Sequence, residues 1–164
     1  MKSIMNNIYV GKDEDAELIL KDDNSEWAIV HACKEKWHRE LLGYTGRGAP
    51  KDHPEYLFAE RGNRLFMNIV DAPKSIFFDK GMIDKALDFI HEKRNRGLKV
   101  LVHCNEGMSR SPSLALIYMV KHNLIKGDTL EDAEAQFMTL YPKYHPGTGM
   151  RGFAKENFGV YKNA

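Results

Sequence analysis

Cys104 and Arg110 stand six positions apart in "VLVHCNEGMSRSPSLALIYMV", residues 100–120. A thiol and a guanidinium so spaced suggest attack by sulfur on an anionic centre. Between them lie Asn105, Glu106, Gly107, Met108 and Ser109. So short a loop, bending at Gly107, can curl until successive backbone N–H groups face inward as an anion nest. The positive end of a following helix would back that nest, which then suits a phosphate-sized group. Arg110 adds a planar fork able to hold two oxygens of a phosphoryl group. The same positive elements favour the thiolate form of Cys104. A lone Cys at a strand end has a blander reading, as a small buried hydrophobe. The rest of the chain must supply the other parts of a reaction before the chemical reading stands.

The elements around the loop agree with it. "KVLVH" (Lys99–His103) reads as a strand that delivers Cys104 at its carboxyl end. Pro112 suits a first helical turn, Ser111 before it is expected to cap that helix, and Leu114 to Val120 are apolar almost all round, as in a deeply buried helix. Other strand-like runs are Asn7–Val10, Trp27–Ala32 and Arg64–Val70. From Asp79, the residues Met82, Ile83, Ala86, Leu87 and Ile90 share one helical face, with Gly97 as the stop. A further helix is expected to open at Asp128 or Thr129, where Asp128 and Glu131 have capping-box spacing; Leu130, Ala133 and Phe137 form its inner face. Strand, helix and strand in succession predict an α/β fold with a central, mostly parallel twisted sheet flanked by helices. Ligands of such sheets sit beyond the carboxyl ends of the strands. His38 to Asn63 carries Gly43, Gly46, Gly48, Pro50, Pro54 and Gly62; it reads as a long loop with one helical turn, either a surface insertion or a substrate-recognition segment.

Composition narrows the rest. The 164 residues, 43% hydrophobic, predict one domain over 1–164. Lys and Arg number 24 against 23 acidic residues. That balance gives no reason to expect nucleic-acid or membrane binding, so any anion site is local. "MKSIMNNIYVGKDEDAE" has no apolar core for a signal peptide and no run reaches a membrane span, so a cytoplasmic protein is expected. Two cysteines, Cys33 and Cys104, are too few for a disulfide framework. Cys33 reads as a buried residue, the alternative being a protective disulfide with oxidised Cys104. Seven scattered histidines show no ligand spacing, so neither a metal nor a cofactor is expected. Lys93, Arg94, Arg96 and Lys99 read as a solvated helix end, and Tyr141, Tyr144 and His145 as packing and turn residues.

The string "HCNEGMSRSP" resembles the signature loop of the cysteine-dependent protein tyrosine phosphatase superfamily, His-Cys-x5-Arg-Ser/Thr, and is most like its small dual-specificity branch. "NNIYVGKDEDAE" is similar to the family's opening strand and turn. The resemblance implies the family's fold, a phosphorylated protein as partner, and a phosphocysteine intermediate. It makes Cys104 the nucleophile and Arg110, with the Asn105 to Arg110 backbone, the phosphate holder. Asp71 in "MNIVDAPKSIFF", 33 positions before Cys104, lies where the family's general acid would, although no Trp-Pro precedes it. Ser111 would assist the departing thiolate, and His103 would pack beneath the nest. Glu106 and the lack of any loop base besides Arg110 argue against an inositol-type polyanion. The implied substrates are phosphotyrosine together with phosphoserine and phosphothreonine. The rivals are phosphatases of lipid, nucleotide or RNA-end monoesters, a phosphate-binding pseudophosphatase, and a sulfurtransferase or arsenate reductase.

Overall fold

Val100, Leu101, Val102 and His103 are all buried, as in a strand covered on both faces. In the computed structural model, which describes residues 1–164, this strand runs through the interior of a six-stranded sheet. The strands are β1 (Lys2–Met5), β2 (Ile8–Gly11), β3 (Trp27–His31), β4 (Phe58–Arg61), β5 (Arg64–Met67) and β6 (Lys99–His103), in the order β1-β2-β6-β3-β5-β4. The β2–β6, β6–β3 and β3–β5 pairs are parallel, and the two edge pairs are antiparallel. The mostly parallel sheet predicted above is therefore present.

Side chains alternate between the two faces, as a strand requires. Ala28, Val30, Leu65, Met67, Val100 and Val102 belong to the main core, which α3 (Lys80–Asn95), α4 (Arg110–Lys121), α5 (Leu130–Leu140) and α6 (Thr148–Lys162) complete. Ile29, Phe66, Leu101 and Cys104 join a smaller cluster with Ala16 and Ile19 of α1 (Asp13–Lys21) and with Cys33 and Trp37. The central helix is α4, buried from Ser111 to Val120. Its Tyr118 is fully buried, and the hydroxyl is hydrogen-bonded to His91 Nδ1 at 2.9 Å.

Several expectations need correction. Ser111 does not cap α4; the helix opens at Arg110 and Ser111 lies inside its first turn, so its hydroxyl is free to reach the loop. The cap of α5 is Thr129, whose side chain accepts from Asp132 N at 3.1 Å; Asp128 is one residue too early. Lys93 is not on a solvated face: it is buried with its ammonium over the Phe89 ring. The His38 to Asn63 segment has the expected helical turn, α2 (Arg39–Leu42), but ends in edge strand β4. The sequence pattern also gives no sign of β1, α1 or α6, nor of the short turns Lys34–His38 and Ser75–Phe77. In α1, Asp15 accepts from Lys12 N at 2.9 Å, closing a start signal in a segment that reads as a turn.

Asp79, from which the α3 pattern is read, proves to be its N-cap, accepting from Met82 N at 2.8 Å. Asp79→Ala is expected to lower unfolding free energy by about 1 kcal/mol, measured by urea titration.

Candidate active site

Parallel neighbours β2, β3 and β6 end together, bringing Gly11, His31 and His103 to one edge of the sheet. The loop that leaves this edge has its carbonyls tied down. Cys104 O lies 3.1 Å from His103 Nδ1, and Asn105 O accepts from Asp13 N at 3.4 Å. Gly107 O accepts from Tyr141 Oη at 2.5 Å, Met108 O from His145 N at 2.8 Å, and Ser109 O from Ser113 N at 3.0 Å. By contrast, the backbone N–H groups of Asn105 to Ser109 have no acceptor in the protein. Donors are what this loop has left to offer. Gly107 makes the bend at φ +75°, and a Cβ there would meet Gly11 O at 2.9 Å and Tyr141 Oη at 3.0 Å. Burial pushes the Tyr141 phenol up to about 12, so it donates as a neutral hydroxyl.

The loop surrounds an open cavity of about 260 Å³ lined by Asp71, Cys104, Asn105, Glu106, Met108, Ser109 and Arg110. Cys104 is 2% exposed, and its Sγ lies 3.2 Å from Ser111 Oγ. The Ser111 hydroxyl also lies 3.3 Å from Gly11 O. Its single hydrogen can go to either atom, and a thiolate would draw it to sulfur. Arg110 is held by Nη1–H to Ile69 O at 3.1 Å and Nη2–H to Asn105 Oδ1 at 3.0 Å. Its Nε is buried with no partner. A buried guanidinium donor left unpaired costs about 1–3 kcal/mol unless something else accepts from it.

Asn105 is braced in turn, its Nδ2 donating to Asp13 Oδ2 at 3.1 Å, while Trp37 Nε1 donates to Asp13 Oδ1 at 2.8 Å. Trp37 follows Lys36, whose φ of +70° is rare for a non-glycine residue. Asp71 is exposed and its Oδ1 accepts from Ser109 Oγ at 3.0 Å. That hydroxyl itself accepts from Gly147 N at 2.9 Å, so one serine links the Asp71 loop, the anion loop and the start of α6. The contact depends on small residues: a Cβ on Gly149 would fall 2.1 Å from Ala72 O and 2.7 Å from Lys74 N.

The structure thus brings together the residues singled out in the sequence. Cys104, Arg110 and Asp71 line one cavity with the loop, Ser111 touches the sulfur, and His103 lies beneath. No residue of His38 to Asn63 lines that cavity. Asp13, Trp37, Tyr141 and Gly147 were missed as site residues, because contacts with distant segments define their roles. Cys33 and Cys104 are both free and share the small cluster. Ligand atoms of Asp13, Cys33 and His103 also lie within 4.8 Å of one another, a grouping that histidine spacing does not reveal. Asp13 there already accepts from Trp37 and Asn105, and burial raises the Cys33 thiol far above its ordinary range.

Residues 62–136 match the family model described as dual specificity phosphatase, catalytic domain. The chain is 42% identical over 45 residues to dual specificity protein phosphatase 1-A of Xenopus laevis, an alignment covering 27% of this chain and 12% of that protein. It is 33% identical over 81 residues to dual specificity protein phosphatase 18 of Rattus norvegicus, covering 49% of this chain and 37% of that one. The aligned parts are thus well under half of these relatives' lengths. The fold is similar to the crystal structure of DUSP15, with a TM-score of 0.66 at 18% identity over 99% of this chain and 90% of that one.

Gly149→Ala is expected to displace the Asp71 loop, since the clash is with backbone; broadened or shifted amide resonances of Asp71 and Ala72 would report it. Acid should destabilise the fold. Burial holds His103 down at about 4, against 6.5 for a free imidazole, and holds His31 well below 6.5. Between pH 6.5 and about 4 the unfolded chain therefore binds more protons than the native one. Urea midpoints should fall as pH falls through that window, and less steeply in His31→Gln.

Proposed function

We infer that this chain belongs to the cysteine-dependent protein tyrosine phosphatase superfamily on its small dual-specificity branch, and that it is a hydrolase of phosphate monoesters, acting on phosphorylated proteins through a phosphocysteine intermediate. One observation carries the reading. A loop with its carbonyls engaged on the outside and its N–H groups unpaired surrounds a cysteine, while an arginine keeps a buried Nε–H without an acceptor. A phosphoryl group answers all of those donors at once.

In the first half-reaction Cys104 Sγ attacks phosphorus and the bond to the leaving oxygen breaks. Arg110 and the Asn105 to Arg110 backbone hold the equatorial oxygens, where charge is spread during transfer. Asp71, as the carboxylic acid, gives its proton to the leaving oxygen. In the second half-reaction water attacks phosphorus, the Asp71 carboxylate takes its proton, and the P–S bond breaks. The Ser111 hydroxyl, 3.2 Å from sulfur, stabilises the departing thiolate. Ser109 keeps Asp71 beside the loop through its 3.0 Å hydrogen bond. Cys104, Arg110, Asp71 and Ser111 act directly on the reacting group in this scheme. His103 supports the loop, and neither a metal nor a cofactor takes part.

Phosphotyrosine is the principal substrate, with phosphoserine and phosphothreonine also accepted. Glu106 at the cavity wall disfavours a polyanionic headgroup, since Arg110 is the sole cationic side chain among the lining residues. We take residues 1–164 as the catalytic unit and place it in the cytoplasm, a reducing setting that would keep the Cys104 thiol available for attack. No helix is long and apolar enough to cross a membrane.

Hydrolysis of an aryl phosphate with competitive inhibition by vanadate is expected. Cys104→Ser should reduce kcat on the order of 10⁴-fold or more, and Asp71→Ala about 10²–10⁴-fold. Full activity in Cys104→Ser would overturn the enzyme assignment. A substrate trap built on Asp71→Ala that retains lipid or nucleotide phosphates but no phosphoprotein would overturn the substrate class.

A further inference from the structure

His31 and His103 end neighbouring parallel strands in register, so their rings meet beneath the nucleophile loop. Both are fully buried, and His31 Nδ1 lies 2.6 Å from His103 Nε2. At the far end, Arg64 Nε donates to His31 Nε2 at 3.0 Å. At the near end, His103 Nδ1 lies 3.1 Å from the Cys104 carbonyl oxygen. Trp37 covers the pair, stacked on His31 at 4.3 Å and edge-on to His103 at 4.9 Å.

The protons in this chain have one consistent arrangement. A guanidinium only donates, so His31 Nε2 must be the acceptor and His31 carries its hydrogen on Nδ1. That hydrogen goes to His103 Nε2, which leaves His103 protonated on Nδ1 and donating to Cys104 O. Charging either ring would set two N–H groups against each other, at the His31–His103 contact or at the Arg64 contact. The rings therefore stay neutral, in keeping with the depressed proton affinity of both. Asp13 Oδ1, the nearest carboxylate to His103 Nδ1, is 3.6 Å away and outside good hydrogen-bond range.

We propose that Arg64 and His31 are positioning residues for the anion-binding loop: Arg64 sets the tautomer of His31, His31 sets that of His103, and His103 captures the Cys104 carbonyl. In a trans peptide the carbonyl and the next N–H point in opposite directions. Capturing Cys104 O beneath the loop therefore turns Asn105 N–H toward the cavity. The anion geometry beside the sulfur is thus governed from a half-buried arginine on another strand, across two imidazoles. The consequence for catalysis rests on the phosphatase reading; the tautomers and the affinity of the loop for an anion do not.

The test is long-range ¹H–¹⁵N NMR of the imidazole nitrogens at neutral pH, combined with titration of inorganic phosphate followed at the Asn105 amide and with kcat and KM for an aryl phosphate. In the native protein both His31 and His103 should be neutral with hydrogen on Nδ1. Arg64→Met should release the His31 and His103 tautomers, weaken phosphate binding about tenfold and reduce kcat by a similar factor. Arg64→Lys, which still donates, should restore all three. His31→Phe fills the space between Trp37 and Phe66 without a relay and should release the His103 tautomer with the same loss, providing a second folded variant. Native histidines with hydrogen on Nε2, or a folded Arg64→Met with unchanged tautomers or unchanged phosphate affinity, would overturn the proposal. Native Nδ1–H tautomers and phosphate affinity lost in Arg64→Met, in a protein that hydrolyses no phosphate ester, would uphold the relay and sink the phosphatase reading instead.

Discussion

A loop that offers its backbone N–H groups to an anion must do something with its carbonyls. Each peptide carries both groups, and a carbonyl left facing a phosphate would repel it. The segment from Cys104 to Ser109 meets this constraint by finding an outside donor for five of its six carbonyls. Those donors come from β6, α1, α4 and the Tyr141 to His145 turn before α6. Much of the tertiary structure around the site can be understood as the means of bringing them there.

The unpaired donors on the inner side work against stability. The Arg110 Nε–H, buried with no acceptor, carries that cost most plainly. The burial of α4 and its neighbours against the sheet offsets it, with Leu114, Leu116 and Tyr118 removed from water on the helix that begins at Arg110. The same helix therefore anchors the fold and presents the guanidinium. Its hydrophobic length holds a charged first turn in place.

The two sides of the cavity are positioned by different means. Around the sulfur, polar groups are buried and cross-braced: Asp13 holds Asn105, Asn105 holds Arg110, and the histidine relay supports Cys104 from below. Asp71 is exposed and touches this assembly through Ser109 alone among its side-chain hydrogen bonds. A cross-braced anion receptor beside a lightly tethered carboxyl suits the proposed reaction, in which the phosphoryl group would stay in place while Asp71 exchanges protons with leaving group and water. Gly147 and Gly149 let α6 approach close enough to keep that tether short.

The residue types in "HCNEGMSRSP" already pointed to a candidate nucleophile, an anion nest and a fork. The interior strands and α3, α4 and α5 were legible because their apolar periodicity reports burial directly. Those signals are local, set by neighbours along the chain. Edge strands β1 and β4 were not legible, since half-exposed four-residue strands bury too little to imprint a pattern. Helix α6 begins in a Pro- and Gly-rich run and carries Gly149, Gly152 and Gly159, so its composition argues for a turn, and packing against Ala72 to Ser75 is what stabilises it. Asp13, Trp37, Tyr141, His31 and Arg64 carry no local mark at all. Only the order of the parallel strands brings His31 beside His103 and Arg64 beside His31, because hydrogen-bond register between distant segments is a property of the assembled sheet. Sequence alone determined what chemistry the loop can do; the tertiary structure decided which way its peptides face, because five of the six carbonyls find donors outside the loop, four of them contributed by α1, α4 and the turn before α6.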